Sequence, residues 1–225
     1  MPRGSAERTQ ARRDEILDAC AGITDRMTTE QLSIADIASE TSFGRTSIYN
    51  YFKTREEIIL ALLARQYEEW ADDIEELDTD PAVHDLQSFA AAFADTLAKR
   101  RLLLKLLNMN LFQVEESCRP ESLRDFKASL GRSQTAVKRC LEKYWTDSSE
   151  DDRTAFIWAF YPFMHGLYSY ANITDKQAVA MDAAGVAYAH RTAPEITLAF
   201  LQRYFGLLPA PPAAAENGKE QPQTG

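Results

Sequence analysis

Apolar side chains recur three and four positions apart through most of the chain, the period of a helix, and no stretch reads as a convincing strand. The first helix is expected from about Ala6 to Asp25. Ile16, Ala19, Cys20, Ile23 and Met27 form its inner stripe, and Arg8, Arg12 and Arg13 sit outside. Ser33 is a good N-cap for a short helix in which Ile34, Ile37 and Ala38 share one face. Thr41, Ser42 and Phe43 break that pattern. A second short helix fits from about Gly44 to Phe52, with Ile48 and Phe52 turned inward and Phe43 plugging the angle. Its outer face carries Arg45, Thr46, Ser47, Tyr49 and Asn50, a cation and four hydrogen-bonding side chains without a carboxylate. An apolar side that holds the angle and a polar, anion-free side are what a helix-turn-helix needs to enter a major groove.

The remaining pattern predicts further helices. Thr54 and Glu57 form a capping-box pair that opens a long helix to about Asp78, carrying Ile58, Leu62, Tyr67, Trp70, Ile74 and Leu77. Asp80-Pro81 is expected to restart a helix running to about Lys99, with Leu86, Phe89, Ala90, Phe93 and Leu97 at helical spacing. Leu102 to Val114 is apolar nearly all round, which predicts one central buried helix. Pro120 opens a helix that ends near Trp145. Residues 151–171 form a helix crowded with large side chains and carrying Pro162, which is expected to kink it. A short helix is expected around Asp175 to Ala184, and Pro194 opens the last one. Residues 1–7 read as a polar arm with Arg3, and the Pro- and Ala-rich tail from Pro209 cannot build a core and is expected to be disordered.

The order IADIA, TSF, SIYNYF, KTREEI resembles the TetR family of bacterial transcriptional regulators. In that family a helix-turn-helix ends in an aromatic-rich run and a long helix follows, as Ile48 to Phe52 and Lys53 to Glu56 would here. The pattern departs in three places: Ser42 stands where the turn usually has Gly, Thr46 replaces a small Gly, and the Gly-aromatic pair is missing around Thr28 and Thr29. The resemblance implies an all-α protein. Residues 1–53 would be a three-helix DNA-binding domain with the helix-turn-helix, residues 54–208 a helical ligand-binding and dimerisation domain, and residues 209–225 a tail. It also implies a homodimer pairing the helices at about 151–171 and 194–207, bound to a double-stranded DNA operator and released by a small molecule. Arg45, Thr46 and Asn50, on the element beginning at Gly44, are the candidates for base edges, since Arg forks to guanine and Asn to adenine. Ser33, Ser47, Tyr49, Tyr51 and Lys53 are the candidates for phosphates, with packing as the other role of Tyr51.

Net charge is −9, which looks wrong for a nucleic-acid binder. Residues 1–55 hold 8 basic and 8 acidic side chains, so the excess acid lies entirely beyond the candidate reader. Cys20, Cys118 and Cys140 are far apart and form no metal-binding spacing. With no secretory leader pattern and no apolar run of membrane length, a cytoplasmic protein is expected.

Catalytic patterns do not assemble. There is no HExxH, no Gly-rich phosphate loop and no GxSxG, and neighbouring acids such as Asp72-Asp73 diverge on a helix. Neither an enzyme nor a cofactor is implied. Aromatic and methionine-rich helices interrupted by a few polar groups suit a small-molecule cavity. Trp70, Phe89, Phe93, Asn108, Phe112 and His165 are its candidate lining, and the ligand would be apolar or aromatic. The alternative is a small-molecule binding or protein-interaction module of the same fold that has lost specific DNA binding.

Overall fold

The structure is a computed structural model that describes residues 3–29 and 31–207. Every regular element among the described residues is an α-helix. The sequence tail from Pro209 lies outside them.

Helix α1 (Arg3–Arg26) begins earlier than its apolar stripe, so the chain is helical from Arg3 where an arm is expected. Ile16, Leu17, Cys20 and Ile23 bury its inner face. Helix α2 (Ile34–Ser39) starts at a reciprocal cap: the Ser33 hydroxyl accepts from the Asp36 amide, and the Asp36 carboxylate accepts from the Ser33 amide. Helix α3 (Arg45–Ile48) is shorter than the 44–52 expected. Beyond it, Asn50 N–H bonds Ser47 C=O and Tyr51 N–H bonds Ile48 C=O, three residues back. The last turn tightens because the chain must reach Thr54, an extended N-cap with φ −132°, within a few residues. Ile34, Ile37, Ile48 and Phe52 close the small core over α1.

Helix α4 (Arg55–Leu77) is the axle of the molecule. The Thr54 hydroxyl caps it by accepting from the Glu57 amide at 3.1 Å. The other half of the expected box differs: the Glu57 carboxylate reaches past Thr54 to the Lys53 amide, at 2.8 Å. Helix α5 (Leu86–Thr96) starts later than Asp80-Pro81 suggests. Asp80 caps only a local turn through the Ala82 amide, whereas Asp85 and Ser88 form a full reciprocal cap.

The expected single helix over 102–114 is two, α6 (Arg101–Leu107) and α7 (Leu111–Glu116). The break falls at Asn108-Met109-Asn110, where the Asn110 side chain starts a new helix by accepting from the Gln113 amide. Leu103, Leu104, Leu106 and Leu107 are all buried, as an apolar-all-round segment requires.

Helix α8 (Pro120–Tyr144) packs along α4 more extensively than any other helix pair. Helix α9 (Glu150–Ala171) runs through Pro162. Helix α10 (Asp175–Ala183) buries no residue, and α11 (Ala193–Tyr204) packs on α5 and α9. The core between them is aromatic. Trp70 lies 5.8 Å from Phe93 and 6.4 Å from Phe160, ring to ring, and donates its indole N–H to the Thr96 hydroxyl at 2.9 Å.

Candidate nucleic-acid interface and small-molecule groove

The α2–α3 corner is pinned from both sides. The Thr41 hydroxyl lies 3.1 Å from the Ala38 carbonyl and 2.8 Å from that of Phe43, within donating reach of both. Phe43 is half-buried beside Tyr51, with the Arg12 guanidinium 4.5 Å above its ring. Arg12 also donates to the Ser42 hydroxyl at 2.8 Å, and the Glu15 carboxylate accepts the Ser42 amide, an interaction that holds its carboxyl below the ordinary range. Arg13 covers Phe52 in the same way, at 4.5 Å. Sequence reading places Arg12 and Arg13 as surface decoration; the helical spacing that put them beside the apolar stripe was their only signal.

This bracing presents the candidate reading residues together. Gly44, Arg45, Thr46 and Asn50 are exposed, and Ser47, Tyr49 and Tyr51 are half-buried. Arg45 donates to the Tyr49 hydroxyl at 3.1 Å, so its guanidinium is held out in one orientation. Lys53 is exposed and donates to the Tyr49 carbonyl at 2.7 Å, which satisfies an orphan group at the end of the turn. Tyr51 packs its ring at 6.4 Å from Phe43, consistent with its packing role. Ser33 differs from the rest. Its hydroxyl donates to the Asp36 carboxylate at 2.6 Å, so it sits beside an anion. That hydrogen bond also lowers the Asp36 pKa. Nearby Glu40 is paired with Arg26 at 2.8 Å.

Directly behind this surface lies a joint that periodicity does not reveal. Glu57 is 1% exposed. Besides the Lys53 amide, its carboxylate accepts from Arg119 Nε and Nη2 at 2.5 and 2.9 Å. Burial pushes this carboxyl up, but the bonds from Arg119 and from the Lys53 amide outweigh it, and the pKa falls below the ordinary value. Glu57 thus ties the end of the reading element to the N-cap residue of α8. Sequence reading gives Glu57 only the capping-box role, and its place one residue before Ile58 in an apolar stripe is the hint of burial.

The six candidate ligand residues do not converge. Trp70, Phe89 and Phe93 are each 0% exposed and belong to the closed aromatic core. Phe112 is 75% exposed on α7. Asn108, in the α6–α7 break, accepts from the Ser169 hydroxyl at 2.7 Å. His165 alone lines a groove, of about 520 Å³, between α4, α7, α8 and α9. The expectation failed because a helix stripe of Phe and Trp has the same period whether it fills a core or faces a cavity. The groove floor is instead Tyr67, Phe126 and Tyr161, and Trp158 stands at its rim, 76% exposed.

Comparison with known proteins places this architecture. Residues 64–204 match the model for the tetracyclin repressor-like C-terminal domain. Among curated proteins no sequence matches the chain. Among solved structures, a putative TetR-family transcriptional regulator from Mesorhizobium loti is similar in fold at 16% identity and TM-score 0.56, over 89% of this chain and 98% of that one. The regulator PfmR from Thermus thermophilus aligns at 14% identity and TM-score 0.55, over 85% and 97%. The fatty acid degradation regulator FadR from Bacillus halodurans aligns at 13% identity and TM-score 0.53, over 87% and 93%. At these identities the likeness to solved structures speaks for the fold; the family model, spanning more than half of the sequence, speaks for the lineage. The chain belongs to the TetR family of transcriptional regulators.

Proposed function

We propose that the chain is a homodimeric repressor that reads a palindromic operator with residues 44–53 and leaves it when a small apolar or aromatic molecule binds the helical body, residues 54–208. The observation that carries this reading is the braced, carboxylate-free surface from Gly44 to Lys53, on which Tyr49 holds Arg45 outward. Arg45, Thr46 and Asn50 take base edges; Ser47, Tyr49 and Lys53 take phosphates. Ser33 contributes its cap rather than a phosphate contact.

Support for the dimer comes from surfaces that one chain leaves open. Trp158 on α9 is 76% exposed, and Phe163 and Phe200, stacked at 4.4 Å, are only half-buried between α9 and α11. Support for ligand control comes from α4. Tyr67 lies on the groove floor and Glu57 holds Lys53, so one rigid helix touches both sites. Their separation of ten residues is roughly 15 Å along the axis. A ligand that favours one tilt of α4 shifts the population of the DNA-competent state only by its differential affinity.

The test is fluorescence anisotropy of the promoter DNA beside the chain's own gene, over a salt series. The proposal expects a saturable, salt-dependent complex that Arg45→Ala weakens on that sequence more than on random DNA. Equal binding of wild-type protein to both DNAs would sink it.

A further inference from the structure

The groove under α9 has chemistry of its own. Its floor is made of rings: Tyr67 lies 6.1 Å from Phe126 and 6.2 Å from Tyr161, the latter pair nearly parallel at 20°. Tyr161 spends its hydroxyl inside the protein. Ser133 donates to the Leu130 carbonyl, so Tyr161 donates to Ser133 at 2.8 Å. Tyr67 does not. The residue is 2% exposed, yet its hydroxyl has no hydrogen-bond partner among the described residues, and it lines the groove. The oxygen is not sealed in but is reached from the groove, so a ligand that covers it must offer it a hydrogen-bond partner.

The charges at the rim narrow the ligand further. Lys127 is the lone cation lining the groove, and it is committed to Glu115 at 2.7 Å. Burial raises the Tyr67 phenol pKa and nearby Glu115 adds to it, so the hydroxyl keeps its proton. An anionic ligand would meet a neutralised lysine and a nearby carboxylate. Burial lowers the His165 pKa, against the opposing pull of the Leu107 carbonyl and of Glu115, and a neutral imidazole offers one ring nitrogen as an acceptor.

We infer that this groove takes a neutral aromatic molecule carrying a hydroxyl, its ring on the Tyr67–Phe126–Tyr161 floor and its oxygen hydrogen-bonded to Tyr67. The inference rests on the ligand-responsive reading above and assigns that ligand a class. An oxygen on the ligand satisfies the Tyr67 hydroxyl, and its proton has the His165 ring as a candidate acceptor. A plain hydrocarbon leaves Tyr67 unpaired. A carboxylate pays for its desolvation without gaining a cation.

The test titrates the full-length protein with 2-naphthol, naphthalene, 2-naphthoate and decanoate, following tryptophan fluorescence and the melting temperature. The expected result is saturable binding of 2-naphthol at least tenfold tighter than any of the other three. Tyr67→Phe, which keeps the ring, should bring 2-naphthol to the level of naphthalene and leave naphthalene unchanged. Leu130→Trp, which fills the groove, should abolish binding of both. Tighter binding of either carboxylate, an unaltered affinity in Tyr67→Phe, full binding by Leu130→Trp, or no saturable binding at all would each overturn the assignment. Anisotropy with promoter DNA is read on the same preparations. Wild-type protein that binds the DNA but none of the probes leaves the regulator standing without this ligand class. Protein that binds 2-naphthol but no DNA leaves the groove standing without the regulator.

Discussion

At its N-terminal end α4 is held by directional bonds: the Glu57 carboxylate joins the Lys53 amide to the Arg119 side chain. A few turns on, the same helix is held by rings, with Tyr67 and Trp70 among Phe93, Phe126, Phe160 and Tyr161. Hydrogen bonds to a buried carboxylate fail if their partners move by a fraction of an ångström, so the Glu57 end fixes one geometry for the reading element. Ring packing is less directional and its contacts are many and individually weak. One helix can therefore be exact where it meets the reader and accommodating where it meets a ligand.

The largest expected effect breaks the ring end. Trp70 is fully buried and its truncation leaves a cavity, so Trp70→Ala should lower stability by about 3–5 kcal/mol. Urea denaturation followed by circular dichroism measures it. Sequence reading alone makes Trp70 a candidate cavity-lining residue; a stability change under about 1 kcal/mol would return it to that role.

The polar end should respond to acid. The Glu57 carboxyl is depressed below its ordinary 4.5 in the folded protein. Its stabilising contribution is therefore present above pH 4.5 and is lost as the pH falls through the lower folded value. Glu57→Gln should flatten that acid limb of a stability–pH profile, by less than Trp70→Ala costs at neutral pH. It should also speed amide hydrogen exchange at Lys53 while leaving α9 unchanged. An acid limb identical to wild type would mean that the joint carries no linkage.

Much of this arrangement is legible in the sequence, and the losses have a common cause. The pairing of Ile34, Ile37, Ile48 and Phe52 shows in their spacing because burial there follows helical period. Helix starts at Pro120 and Pro194 show because proline is pre-organised for the first turn. What the pattern cannot show is which residues of an apolar stripe face a void. Tyr67 and Trp70 lie three residues apart on one stripe; one lines a groove and the other is sealed in. Nor does spacing reveal Glu57 with Arg119, because the two lie 62 residues apart and meet only when α8 returns along α4. The break at Asn108 to Asn110 was hidden by the apolar residues around it, although two asparagines so close together favour a turn.

A smaller effect sharpens the reader itself. Arg45→Ala should cost roughly 1–3 kcal/mol per base contact and relax the preference at one position of each half-site. Selection of binding sites from a randomised DNA pool reads this directly. An unchanged preferred sequence would mean that α3 lies in the groove in another orientation.

The smallest expected effect separates anchoring from reading at the residue next to the joint. Lys53 is exposed, its ammonium is 2.7 Å from the Tyr49 carbonyl, and its amide is the one that Glu57 accepts. The amide bond survives any side-chain change, so Lys53→Ala leaves the tie to α4 in place and removes a cation from the reading face. Each phosphate neutralised by a lysine contributes about one counterion to the salt dependence of binding. Lys53→Ala should therefore reduce the slope of log affinity against log salt by about 1 per subunit on DNA and weaken all sequences alike. The measurement is anisotropy over a salt series, on promoter and random DNA in parallel. A drop confined to the promoter sequence would make Lys53 a base contact. A drop with the salt slope intact would mean that its bond to Tyr49, which orders the end of the reading element, matters more than its charge.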